Sequence, residues 1–211
     1  MKNKNIIILE GGNNEEHEIS ILTSKEVKNI IIELNYNVRT VQVNPKNFFQ
    51  KIDNYYADIF FNALHGTFGE DGRIQKILFN HKLKYTHSGV KASTIAFDKH
   101  LTKQMIKNSR IRFLDSILIK QSQLSENFFI EIFKNIGAFV LKPVSSGSSY
   151  GVKLIKSVKD IKLFFLNNFD QNNLYVNHEN LMIERYIKGK ELTVSVIEED
   201  KKSKAIEVTE I

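Results

Sequence analysis

The sequence predicts an α/β protein in two parts, a parallel sheet wrapped by helices and then an α+β region in which strands meet as hairpins. Two patterns carry this prediction. Over residues 1–95, short apolar strand candidates alternate with stretches of helical period, the order that builds a parallel sheet. Beyond that point strand candidates dominate, with only two helices among them. A third observation is bulk: 211 residues with 42% hydrophobic content can bury a core and lie outside the composition of disordered chains.

The elements follow in order. Ile6-Ile7-Ile8-Leu9 is a β-branched run stopped by Gly11-Gly12, as in a strand buried on both faces. Ile19, Leu22, Val27, Ile30, Ile31 and Leu34 then recur at three- and four-residue steps, predicting a helix. Val38 to Val43 alternates as a second strand, and Ala57 to Leu64 supplies a third that ends at His65-Gly66. A helix carrying Ile74, Ile77 and Leu78 follows Gly72, an extended piece spans Lys84 to Thr86, and one longer helix runs from near Lys91 through Met105. The later strand candidates are Phe113 to Ile119, Gly137 to Pro143, Val152 to Ile155, Leu181 to Ile187, Glu191 to Ile197 and Ala205 to Ile211. The two intervening helices span roughly Glu126 to Asn135 and Val158 to Phe169, and Glu199-Asp200-Lys201-Lys202 is a polar turn.

Composition narrows the function. With no cysteine, the chain has no disulfide framework, thiolate metal site or cysteine nucleophile. Its net charge of +6 comes from scattered lysines that do not interleave with aromatics, which argues against a nucleic-acid partner and suits anionic small molecules. No apolar run is long enough to span a bilayer, and Ile6 to Leu9 is too short for a signal-peptide core, so a cytoplasmic location is expected.

Four segments hold chemistry. Lys142-Pro143-Val144-Ser145-Ser146-Gly147-Ser148-Ser149-Tyr150-Gly151 is a small-residue loop between two strands, opened by a lysine. Its backbone N–H groups can converge on phosphate oxygens while the lysine supplies a point charge, although a flexible hairpin loop would look the same. His65-Gly66-Thr67-Phe68-Gly69-Glu70-Asp71-Gly72 and Glu15-Glu16-His17-Glu18 both follow strands of the predicted parallel sheet, at the carboxyl edge where such sheets bind ligands. Each also suits a helix cap or a solvated loop. Glu184 and Glu191 flank a turn at Gly189, where a carboxylate can accept from ribose hydroxyls or simply serve an exposed, salt-bridged hairpin.

Taken together these segments resemble the D-alanine–D-alanine ligase family of the ATP-grasp superfamily. The resemblance rests on GGNNEEHEIS from Gly11, NALHGTFGEDGRIQ from Asn62, YTHSGVKASTIAFDK from Tyr85, VLKPVSSGSSYGV from Val140 and MIERYIKGKELTVSV from Met182, in the family's order. It implies a parallel-sheet pre-ATP-grasp domain at 1–95, a central ATP-grasp subdomain at 96–185, and at 186–211 the start of a third part that is incomplete at the carboxyl terminus. The implied activity is ATP-dependent joining of two D-alanines for peptidoglycan synthesis through an acyl phosphate. Glu18 is expected to hold the ammonium of the first D-alanine and, with Ser148, to be catalytic; His65 lies nearby. Lys99 and Lys142 match the phosphate-binding lysines, and Ser145, Ser146, Gly147, Ser148, Ser149 and Gly151 match the closing loop. Glu184, Arg185 and Ile187 fall on the adenine-contacting strand, and Glu191 matches the ribose carboxylate.

The implied partners are D-alanine and ATP, with a homodimer or a complementing carboxyl-terminal fragment as protein partner. Magnesium or manganese is implied by the family alone, its ligands expected beyond Ile211. One local departure is YTHSG, where His87 replaces a glycine; the exchange suits a turn that needs no positive φ.

Overall fold

The computed structural model describes residues 4–168, 175 and 178–211. Strand β1 (Asn5–Gly11) lies between β2 (Asn37–Val43) and β3 (Ile59–Asn62), and both pairings are parallel, as the sequence predicts. Ile7 and Leu9 point into one core with Phe60, Ile74 and Leu78, whereas Ile8 joins Ile31 and Ala63 on the other side. The unbroken apolar run of β1 is therefore explained by two buried faces.

Helix α1 (His17–Glu33) turns its small residues to the sheet: Ser20 and Ser24 are fully buried, and Ser20 Oγ accepts from Gly11 N at 2.8 Å. The short helix α2 (Phe48–Lys51) is not evident from periodicity, because only one of its four side chains, Phe48, is buried. Helix α3 (Arg73–Asn80) closes the first core.

The single long helix expected from Lys91 through Met105 is two helices, α4 (Val90–Phe97) and α5 (Lys99–Ile106). Asp98 divides them. Its backbone is extended (φ −92°, ψ 108°) and its side chain accepts from Leu101 N, so it caps α5 rather than continuing α4. Asp98 also forms an isolated antiparallel bridge with Ser145, and Lys99 N donates to Val144 O, tying the start of α5 to the later loop.

The second sheet is antiparallel throughout, in the order β4 (Ser116–Lys120), β7 (Asn180–Arg185), β5 (Phe139–Pro143), β6 (Lys153–Ile155). Helices α6 (Glu126–Ile136) and α7 (Val158–Asn168) pack on one face through Phe129, Ile132, Phe139, Leu141, Ile161, Leu181 and Ile183. Phe169, where the second of these helices is expected to end, lies outside the described residues. Strands β8 (Leu192–Glu199) and β9 (Lys202–Glu210) form a separate hairpin, every residue of it exposed. Its turn places Asp200 (φ 51°) and Lys201 (φ 62°) in the left-handed region, the geometry of a two-residue type I′ turn.

Candidate functional site

Alternation along β5 decides which side chains meet the site. Phe139 and Leu141 enter the core, so Val140 and Lys142 face the other way. On β7, Leu181 and Ile183 enter the same core, which leaves Met182 and Glu184 beside Val140 and Lys142 on the opposite face. Lys142 and Glu184 are diagonal neighbours there, and Lys142 Nζ donates to Glu184 Oε2.

Glu184 has a second partner. Lys103, one helical turn after Lys99 on α5, reaches Glu184 Oε1. Burial alone would raise the pKa of this carboxyl group, but hydrogen bonds from Lys103 and Lys142 outweigh it and hold the group below its ordinary 4.5. Lys99 Nζ donates to the loop carbonyl of Ser146 at 2.7 Å and lies 3.4 Å from that of Val144. Its pKa is lowered, first by burial and then by the nearby charge of Lys142. Three ammonium groups thus gather around one carboxylate, an arrangement suited to a polyanion.

Lys99, Lys142 and Glu184 border a cleft of about 470 Å³, lined also by Ser146, Gly147, Ser148, Ser149, Arg185, Ile187 and Glu191 among others. Ser145 and Gly151 flank it instead. Ser145 lines a neighbouring cleft with Asp98 and His178, while Gly151 turns at φ 71° against Pro143 and its carbonyl accepts from Tyr175 Oη at 2.7 Å. Ser148 and Ser149 adopt φ 44° and 57°, so the loop is held in a strained left-handed turn by residues other than glycine.

The acidic cluster after β1 resolves differently from the expectation. Glu18 is not brought to the site: its side chain is 88% exposed, with His17 Nε2 4.0 Å away. Glu16 is the carboxylate that points inward. It occupies the cap position of α1 without capping it, and Ser148 Oγ donates to its Oε1. Two residues along a helix turn a side chain by roughly 200°, so Glu16 and Glu18 cannot share a face. Glu16 Oε2 is buried with no hydrogen-bond partner, and it lies where a side chain on Gly66 or Gly147 would sit.

His65 supports this corner from behind. Its Nε2 is 2.9 Å from Thr23 Oγ1, its Nδ1 is 3.8 Å from Glu70, and its carbonyl accepts from Asn14 Nδ2. His87 adopts φ 78°, so the turn does need the conformation that glycine favours. The imidazole is accommodated edge-on to the Phe61 ring at 6.0 Å and within 3.4 Å of Asn62 Nδ2. Burial, then the proximity of His65, lowers the pKa of His87.

Sequence reasoning placed Glu16 in the acidic cluster but singled out Glu18 from it, and missed Lys103 and Asn14. The four-residue step from Lys99 to Lys103 was the available signal for one of them. Among the described residues no group of three or more His, Asp or Glu side chains is arranged to hold a metal. No described helix is long and apolar enough to cross a membrane.

A family model for the D-ala D-ala ligase C-terminus matches residues 105–211, just over half of the chain. The chain belongs to the D-alanine–D-alanine ligase family. Relatives within the family include D-alanine–D-alanine ligases of Rickettsia canadensis, 36% identical over 99% of this chain, and of Zymomonas mobilis, 37% identical over 99%. This chain spans 54% and 61% of the lengths of those two proteins. Among solved structures, the D-alanine-D-alanine ligase of Coxiella burnetii superimposes with a TM-score of 0.79 at 24% identity, covering 98% of this chain and 70% of its own; it speaks to the fold. A Bacillus anthracis D-alanine–D-alanine ligase complexed with ATP gives 0.76 at 27% identity, covering 99% of this chain and 66% of its own. These neighbours agree with the expected α/β class, a parallel sheet followed by antiparallel ATP-grasp strands.

Proposed function

We propose that this chain forms the nucleotide and first-substrate portion of an enzyme that joins two D-alanines at the expense of ATP, with the division 1–95, 96–185 and 186–211 as its architectural plan. The observation that carries the reading is the cleft of about 470 Å³, which draws Lys99, the loop from Ser146 to Ser149, the β7 strand and Glu191 together from four separated segments.

In this reading the triphosphate lies against Lys99 and Lys142 under the serine loop. Arg185 and Ile187 offer backbone groups to the base, and Glu191 accepts from ribose hydroxyls. The ammonium of the first D-alanine sits on Glu16, whose buried and unpartnered Oε2 calls for a cation. Glu16 takes the role expected of Glu18. Ser148 joins the two subsites, because its hydroxyl holds Glu16 while its backbone belongs to the phosphate loop. His65 braces the Glu16 corner through Asn14 and Thr23.

A carboxylate oxygen of the bound D-alanine attacks the γ-phosphorus, the bond from that phosphorus to the β–γ bridging oxygen breaks, and ADP leaves. The amine of a second D-alanine then attacks the acyl carbon, expelling inorganic phosphate and losing a proton. The residues of this chain supply cationic neutralisation and in-line placement.

The test separates binding from turnover. Calorimetric titration of the purified chain with ATP should show binding, whereas incubation with ATP, D-alanine and magnesium should release negligible dipeptide. Robust turnover would overturn the expectation of inactivity, and absence of ATP binding would overturn the nucleotide reading.

A second reading, that of a non-catalytic fragment paired with a separate carboxyl-terminal polypeptide, is favoured by the hairpin. Val194, Val196, Ile206 and Val208 are each at least 45% exposed on β8 and β9. Open strands bearing exposed apolar side chains are suited to pairing. Co-expression with the corresponding fragment of a relative should raise solubility or restore dipeptide synthesis; no change in either removes this reading.

A further inference from the structure

We propose that Lys103 is a positioning residue of the nucleotide site, the fixed counter-charge that lets Lys142 leave Glu184 and move to a phosphate. This inference rests on the nucleotide reading above. Glu184 is only 7% exposed, and each of its carboxylate oxygens carries one ammonium group. The two ammonium groups differ in their other surroundings.

Lys142 lines the cleft and has no other partner among its described hydrogen bonds, so it faces any ligand that enters. Lys103 does not line the cleft. It lies behind Glu184 with its ammonium also donating to the Leu114 carbonyl and seated 5.5 Å from the centre of the Phe113 ring. Its side chain is 16% exposed. One lysine is therefore anchored at three points, and the other is exchangeable.

This arrangement answers a physical difficulty in the site. A lysine that must bind phosphate is held, in the absence of ligand, by a buried carboxylate. Were Lys142 the sole partner, its departure would strand that carboxylate in a poorly solvated place, and the loss would be set against phosphate binding. With Lys103 in place the charge stays compensated after Lys142 leaves. The carboxylate keeps its position, and Oε2 becomes free on the cleft side. Lys103 thus tunes phosphate affinity without touching the nucleotide.

The experiment is a binding cycle on the full chain, with ATP and adenosine as probes. Lys103→Met keeps the stem over Phe113 and removes the charge. It should weaken ATP about tenfold or more while changing adenosine less than about twofold, because Lys142 stays on Glu184 and only the phosphate contact suffers. Lys103→Arg should recover most of the ATP affinity. In a Glu184→Gln background, where no carboxylate needs compensation, Lys103→Met should change ATP affinity by less than about twofold. Thermal melts identify any variant that fails to fold, and for such a variant the Lys103→Arg and Glu184→Gln chains carry the comparison. Equal loss for ATP and adenosine, or a loss that persists undiminished in Glu184→Gln, overturns the proposal by assigning Lys103 a general structural role. ATP binding unaffected by Lys103→Met overturns it alone, whereas an unaltered chain that binds no ATP overturns the nucleotide reading and this inference with it.

Discussion

Two buried carboxylates, one in each half of the molecule, meet opposite electrostatic conditions. Glu16, beside the parallel sheet, has one oxygen bound by a serine hydroxyl and the other buried without a partner. Glu184, on the antiparallel sheet, has an ammonium group on each oxygen. Both residues are more than nine-tenths buried, so the difference lies in their partners rather than their depth. The first corner has anionic capacity to spare and fits a ligand ammonium; the second has surplus cations and fits phosphates. The loop carrying Ser148 is shared by both, so the anionic corner and the cationic corner adjoin.

Breaking the crowded side should have the largest effect. Glu184→Ala leaves Lys103 and Lys142 facing each other without compensation, and a loss of about 3 kcal/mol is expected, measured by urea unfolding. A loss under about 1 kcal/mol would mean that solvent already compensates the lysines. Gly66→Ala attacks the other side. Its added Cβ would lie 2.3 Å from Glu16 Oε2 in a backbone at φ 63°. About 2 kcal/mol of destabilisation should follow, with the Glu16 side chain displaced; an unchanged melting curve would show that the corner yields freely.

Ser148→Ala is a smaller perturbation, since alanine tolerates φ 44° no worse than serine does. Removing the donor leaves both oxygens of Glu16 unpartnered, a cost of about 1 kcal/mol. D-alanine affinity, read by calorimetry, should fall with it.

The smallest effect is in the pH dependence. Glu184 is held below the ordinary 4.5, so its stabilisation is complete above that value and is lost as pH falls beneath it. Glu70, about half exposed, is shifted the other way, mainly by partial burial, so stability associated with it falls as pH rises above 4.5. Melting profiles of Glu184→Gln should flatten below 4.5 and those of Glu70→Gln above it. Identical profiles for both variants would show that the two carboxylates titrate in equivalent surroundings.

Much of the fold was legible because its signals are local. The apolar run of β1 announces burial on both faces, and the alternation of β5 foretells that Lys142 turns away from Phe139 and Leu141. The break at Asp98 was hidden by an apolar period that continues across it, although an aspartate before a helix is a recognised cap. Helix α2 escaped notice because one turn with one buried side chain has no measurable period. At the site, the residues expected on loops and strands are drawn to one cleft, whereas on helices the expectation of Glu18 meets a structure in which Glu16 points inward, and Lys103 was passed over beside Lys99.

By itself the sequence determined the α/β class, the order of strands and helices, the serine loop, the lysines at its edge and the resemblance to one family, all properties carried by composition, spacing and short-range pattern. The tertiary structure alone decided which members of the acidic cluster and of α5 reach the site. The physical reason is phase: each residue rotates a helical side chain by about 100°, so charges two apart diverge and charges four apart converge. Only the packing of α1 through Ser20 and Ser24, and of α5 through its cap at Asp98, sets where that rotation begins.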